Sequence, residues 1–130
     1  MKLLLDTHAL LWWLNDSPRL NGKAHDLIGD PENVVYASIV SLWEIAVKAR
    51  IGKLDADPAL IARKAMDGGL ELLGILLTHL TTLKSLPDHH RDPFDHLLIA
   101  QAIAEDATFV SNDRHAVRYG VRHIACTSSA

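Results

Sequence analysis

The chain is poor in cysteine and in unbroken apolar sequence, and each shortage closes off a class of protein. A single cysteine, Cys126, excludes an internal disulfide and any thiolate-rich zinc site, and it suits a reducing compartment such as the cytoplasm. The longest apolar run, residues 70–77, is interrupted by Glu71 and Gly74 and is too short to span a membrane. The opening Met1-Lys2-Leu3-Leu4-Leu5 meets Asp6 and His8 too early to act as a signal peptide, and no small-residue cleavage site follows. Excess charge of one sign is also missing. A net charge of −3 provides no general attraction for nucleic acid, so such a partner would need a local patch or a bound metal. No repeat, low-complexity tract or Pro/Gly-rich linker divides the sequence, and 130 residues suffice for one domain, 1–130, with a substantial core.

What is present is an alternation of strand-like and helix-like segments. Residues 2–5 are continuously apolar, as expected of a strand buried on both faces. A helix is expected from Thr7 or His8 to Asn15. Ser17-Pro18 reads as the cap and first turn of a second helix reaching about Ile28. Residues 34–37 form the next strand, and Ser38 caps a helix over 39–51 that Gly52 ends. Asp57-Pro58 opens another helix, which Gly68-Gly69 stops. Residues 70–77 read as a third strand, Thr78 as the cap of a small helix to Lys84, and 86–91 as a polar loop. Asp92-Pro93 opens a helix over 93–105. A strand at 108–110, a short turn or helix around 113–118 and a weak strand at 123–126 complete the pattern. Strand alternating with helix predicts an α/β fold with a parallel sheet, whose ligands bind at the carboxyl ends of the strands.

Four carboxylates lie at or inside the apolar segments: Asp6 after the first strand, Glu44 within the helix 39–51, Asp95 at the head of the helix 93–105, and Asp113 after the strand 108–110. A carboxylate against apolar surface costs several kcal/mol, roughly, unless it is paired, protonated or bound to a cation. Four brought together by folding would cage a hard divalent metal. Each also has a structural reading. Asp6 and Asp113 could cap the segments that follow them, and Glu44 could pair with Lys48 four residues on. Asp92, before Pro93, reads first as a helix cap and, with Ser111, as an additional candidate site residue, whereas Asp95 shares its helix face with Leu98, Ile99 and Ala102 and needs a partner.

The eight histidines do not have zinc spacing, since no His-Glu-x-x-His pair occurs. His89 and His90 are adjacent in a loop and cannot point the same way. His8, His96 and His115 lie near candidate carboxylates, although each reads first as an exposed polar residue. Trp12, Trp13 and Trp43 read as core, with Trp12 and Trp13 pointing to different sides of their helix. Lys48, Arg50 and Lys53 form a loose basic set near Glu44 that would suit a phosphate backbone.

Leu4-Leu5-Asp6-Thr7-His8-Ala9-Leu10-Leu11-Trp12, Ser41-Leu42-Trp43-Glu44-Ile45-Ala46-Val47-Lys48 with Gly52-Lys53-Leu54, His90-Arg91-Asp92-Pro93-Phe94-Asp95 and Val110-Ser111-Asn112-Asp113 together resemble the PIN-domain nucleases, in particular VapC-type toxins. The resemblance implies an α/β/α sandwich with a short central parallel sheet. It implies Asp6, Glu44, Asp95 and Asp113 as the metal-binding and catalytic quartet, with Mg²⁺ or Mn²⁺ as cofactor and RNA as substrate. It further implies a cognate VapB-like antitoxin and a homodimer. His96 stands where an arginine is common and Ser111 where a threonine is common; the serine keeps the hydroxyl. Three other readings compete: a PIN nuclease of RNA processing or DNA metabolism without an antitoxin, a Mg²⁺-binding phosphoacceptor domain, and a catalytically dead partner-binding module. The phosphoacceptor domain needs an aspartate closing a mid-chain buried strand, but Asp55 and Asp57 sit in polar sequence.

Overall fold

Leu3, Leu4 and Leu5 are all fully buried, although successive strand residues face opposite ways, so the segment carrying them is covered on both sides. In the computed structural model, which describes residues 1–88 and 92–128, that segment is β1 (Lys2–Leu5). It pairs in parallel with β2 (Val34–Ser38) on one side and β4 (Thr108–Ser111) on the other. β3 (Glu71–Leu73) extends the sheet beyond β2, and β5 (His123–Ala125) extends it beyond β4, giving the order β3-β2-β1-β4-β5 with every pairing parallel. The chain winds outward from β1 through β2 to β3, then returns to β1's other side for β4. The β1/β4 boundary is therefore the topological switch point, where loops diverge and leave a crevice beyond the strand ends.

The sheet separates two cores. Leu3 and Leu5 of β1, Val35 and Ala37 of β2 and Val110 of β4 face a layer built from α1 (Thr7–Leu14), α2 (Gly22–Gly29) and α4 (Pro58–Asp67). Leu4 and Phe109 face the opposite layer, where α6 (Pro93–Ala104) contributes Leu97, Leu98, Ile99 and Ala102. The helix α3 (Ile39–Arg50) reaches both, with Leu42 and Ile45 in the first core and Val40 in the second. Full burial of one such leucine is worth about 1.5–3 kcal/mol, so the two-sided burial of β1 anchors the middle of the fold.

Two boundaries differ from the sequence-based expectation. Ser17-Pro18 does not open a helix: the Ser17 amide donates to the Trp12 carbonyl and Ser17 Oγ accepts from the Arg19 amide, closing a turn. α2 begins only at Gly22, capped by Asn21, whose Oδ1 accepts from the Ala24 amide at 2.8 Å. The apolar run 70–77 forms a strand only over Glu71–Leu73. Ile75, Leu76 and Leu77 are exposed, and α5 (Leu77–Lys84) starts inside the run. Thr78 is not its cap. The Leu76 amide donates instead to Nδ1 of His79, an interior histidine with no exposed surface. The tryptophans also depart from expectation. Trp43 is exposed and packs edge-on to Phe94 with ring centroids 4.6 Å apart, while Trp12 and Trp13 are both partly buried. Of the polar loop expected over 86–91, His89, His90 and Arg91 lie outside the described residues.

Between the layers runs a buried polar chain. Ser38 Oγ donates to Gln101 Oε1, and Gln101 Nε2 donates to the Gly74 carbonyl at 3.1 Å and lies 3.3 Å from His79 Nδ1. His79 Nε2 meets Glu105 at 2.8 Å. Because Nδ1 accepts from the Leu76 amide, Nε2 carries the proton and donates to the carboxylate. Gln101 thus links β2, α6 and the segment before α5. Gln101→Leu is expected to destabilise the protein by about 2–4 kcal/mol, since it strands several buried polar groups at about 1–3 kcal/mol each. A urea titration checks this, and a cost below about 1 kcal/mol would show that the chain reorganises freely.

Candidate active site

The carboxyl ends of β1 and β4 and the amino ends of three helical segments converge on one cleft lined by Asp6, Thr7, His8, Glu44, Lys48, Asp92, Asp95, Asn112 and Asp113. Its volume of about 330 Å³ compares with about 30 Å³ per water in the liquid, so a hydrated cation and a phosphate group fit together.

Asp6 follows β1 directly and is 5% exposed. Its Oδ1 accepts from the Ala9 amide at 2.7 Å, which makes it the N-cap of α1. Burial pushes its carboxyl up to about 7. Backbone hydrogen bonds from Ala9 and Asn112 hold it back in part, and the charges of Asp95 and Glu44 push further upward. Glu44, from the middle of α3, is equally buried. Thr7 Oγ1 donates to its Oε1 at 2.6 Å and lies 3.1 Å from Ser41 Oγ, while Lys48 Nζ donates to Oε2 at 2.7 Å. Asp95 lies in the first turn of α6, and its amide donates to Asp92 Oδ1 at 2.8 Å. Asp113 caps the 3₁₀ turn Arg114–Tyr119 through the His115 amide at 2.9 Å.

The cap and cleft readings weighed for Asp6, Asp92 and Asp113 are therefore not exclusive, because each residue does both. α1 and the 3₁₀ turn leave β1 and β4 at the sheet's carboxyl edge, and α6 starts beside the same cleft before running back to β4, so each capping aspartate also faces the crevice. The partly positive helix ends offset some of the repulsion among the carboxylates. Glu44 likewise both pairs with Lys48 and lines the cleft.

The chemistry of this donor set fits a hard divalent cation. It is all oxygen and anionic, and it includes a buried carboxylate whose protonation is favoured while no stronger cation neutralises the cluster. As arranged, no group of three His, Cys, Asp or Glu side chains among the described residues is drawn in around one ion position.

Comparison with known proteins places this cleft in context. The PIN domain family matches residues 3–121. The chain belongs to the PIN-domain family. A curated relative, Ribonuclease VapC22 of Mycobacterium tuberculosis, is 30% identical over 114 residues, covering 86% of this chain and 87% of the relative. The PIN fold recurs in the crystal structure of VapBC2 from Rickettsia felis bound to a DNA fragment from its promoter. That match has a TM-score of 0.73 at 19% identity and covers 96% of this chain and 98% of the other. DNA-bound VapBC from Salmonella typhimurium matches with a TM-score of 0.65 at 16% identity, covering 96% and 98%. The parallel-sheet α/β architecture expected from the sequence is thus the PIN fold.

Within this PIN chain, the other residues singled out by sequence take different places. Ser111 is buried and does not line the cleft; its Oγ accepts from the Asp113 amide at 3.2 Å and lies 2.7 Å from Nε2 of His123, so it braces the Asp113 turn. Burial lowers the His123 imidazole below its ordinary range, which favours its neutral form. Lys48 lines the cleft, whereas Arg50 and Lys53 are exposed outside it. His8 is on the rim, 5.5 Å from the Trp12 ring. His96 Nε2 lies 3.1 Å from the Tyr119 hydroxyl, and His115 is exposed. Thr7 and Asn112 were not singled out from the sequence. A hydroxyl beside Asp6 could have drawn notice to Thr7, but a backbone donor such as that of Asn112 has no side-chain signature.

Asp92→Asn is expected to keep the α6 cap, because asparagine also accepts from the Asp95 amide. Mn²⁺ affinity measured by calorimetry should fall by no more than about threefold, the modest weight of a partly solvated charge, and by far more in Asp95→Asn. Equal losses in the two would make Asp92 a ligand.

Proposed function

We propose that this chain is a Mg²⁺- or Mn²⁺-dependent endoribonuclease, the toxin of a VapBC-type toxin–antitoxin pair, with Asp6, Glu44, Asp95 and Asp113 as its metal-binding and catalytic residues. The observation that carries this is the convergence of those four side chains, with Asp92, on one cleft at the β1/β4 switch point. The PIN family match and the named ribonuclease relative support the reaction class.

A divalent cation held there would lower the pKa of a bound water and offset charge developing on the scissile phosphate. The chain's own contributions are specific. Thr7 fixes the rotamer of Glu44, and the Ala9 and Asn112 amides orient Asp6. Asp92 positions the first turn of α6 and hence Asp95. Ser111 fixes the backbone of Asp113.

In this reading residues 1–130 act as one PIN domain, located in the cytoplasm and paired with a second copy. The DNA-bound VapBC structures support a VapB-like antitoxin as partner. A PIN nuclease working in RNA processing or DNA metabolism is the alternative, and a small adjacent antitoxin gene separates the two. No helix among the described residues is long and apolar enough to cross a membrane.

The test is expression without antitoxin followed by sequencing of RNA 5′ ends. Growth arrest with a discrete set of new ends is expected. Unaltered ends from well-expressed wild-type protein, together with no cleavage in purified assays with Mn²⁺, would defeat the proposal.

A further inference from the structure

Among the described residues, Lys48 is the one lysine or arginine lining a cleft whose other lining residues include five carboxylates. Its Nζ sits 2.7 Å from Glu44 Oε2, with Asp92 and Asp95 adding attraction. Glu44 has almost no exposed surface, and its second oxygen is already held by Thr7. Both oxygens of a proposed metal ligand are therefore engaged, one by a buried hydroxyl and one by an ammonium. The two partners differ in mobility. Thr7 is buried at the start of α1, whereas the Lys48 side chain is 43% exposed on a flexible four-carbon stem. Releasing the ammonium into water is a smaller change than moving Thr7, and it opens an oxygen facing the cleft.

We propose that Lys48 is an internal counter-ion that holds Glu44 while the cleft lacks a divalent cation and is displaced from Oε2 when one loads. The inference rests on the nuclease reading above. Lys48 is thus a positioning residue with two opposed effects: it steadies the metal-free protein and it competes with the metal. An ordinary helical ion pair four residues apart would do only the first. The pair would set a threshold, keeping the protein folded but unloaded at low divalent concentration.

The experiment is calorimetric titration of chelator-stripped protein with MnCl₂ at fixed ionic strength, for wild type, Lys48→Met and Lys48→Arg, alongside thermal melts in chelator. Lys48→Met should melt lower than wild type in chelator yet bind Mn²⁺ at least about fivefold more tightly, the lower end of typical couplings between two ligands. Lys48→Arg keeps the charge and should stay within about twofold of wild type on the same scale. In wild-type protein, a protected Lys48 ammonium signal should be visible by NMR in chelator and vanish on addition of Mg²⁺, a measurement that does not depend on the variants folding. Unchanged or weaker Mn²⁺ binding by Lys48→Met, or an ammonium signal that persists at saturating Mg²⁺, overturns the counter-ion role and leaves the nuclease reading standing. Failure of wild type to take up Mn²⁺ at millimolar concentration overturns both.

Discussion

Asp6→Asn and Asp95→Asn should each lower the rate of RNA cleavage by about a thousandfold, equivalent to about 4 kcal/mol in the barrier, without unfolding the protein. An amide is neutral and offers one oxygen where a carboxylate offers a charged pair, so it cannot serve as the same ligand. The local fold should survive because asparagine at position 6 can still accept from the Ala9 amide. Asp95 contributes its backbone amide, not its side chain, to the Asp92 cap. Glu44→Gln should match the loss in rate but carry a cost in folding, because it also breaks the ion pair with Lys48. Single-turnover cleavage by purified variants, with circular dichroism as the control for folding, makes the measurement. Near wild-type turnover in a folded Asp95→Asn protein would remove that carboxylate from the chemistry.

The second large effect links metal, pH and stability. The Asp6 carboxyl lies at about 7 in the folded protein because of burial, against about 3.9 in an unfolded chain. The folded state therefore binds a proton more tightly than the unfolded state. The contribution of this group to stability is complete below about pH 4 and is lost as pH rises through about 7. The difference between the two states corresponds to about 4 kcal/mol. A divalent cation takes the proton's place, so its stabilising effect should be small at pH 5.5 and large at pH 8. At one hundred times the dissociation constant, a bound ion adds about 2.7 kcal/mol, or roughly 10 °C in melting temperature for a chain of this size. Asp6→Asn should melt above wild type at pH 8 in chelator, lose that advantage by pH 5, and gain little from Mn²⁺. Melts at fixed ionic strength across this range decide the point. A Mn²⁺ gain that is equal in wild type and Asp6→Asn at pH 8 would mean that the ion acts through general surface charge.

The features most legible in the sequence were those where chemistry and pattern coincide. Three leucines in a row with an aspartate at the end specify a doubly covered strand and the edge where the cleft lies, and the same reading located β4 and Asp113. Asp57-Pro58 and Asp92-Pro93 marked helix starts because proline's fixed φ and the aspartate cap act within a few residues. Ser17-Pro18 carries a similar local signal, yet a backbone bond from Ser17 back to Trp12 closes a turn there and delays α2 to Asn21. Residues 70–77 misled for another reason: an apolar side chain need not be buried, and Ile75, Leu76 and Leu77 lie on the surface. In the site, a choice between capping and cleft was posed for Asp6, Asp92 and Asp113 because a sequence does not show where helix starts point. Gln101 and His79, separated in the chain, meet only once α5 packs on α6.

The strand order also bears on when this enzyme could first act during its own synthesis. β1 lies in the middle of the sheet, but one of its two neighbours, β4, is made only after β2 and β3, and Leu5 pairs with Val110. A ribosome-bound chain would have Asp6 and Glu44 early, yet the opposite wall of the cleft, Asp113, emerges only after β4. Helices α1 to α4 can form beforehand, whereas the long-range pairing that completes the sheet comes late. A nascent chain that has not yet reached β4 would thus lack one wall of the cleft and remain inert while translation proceeds.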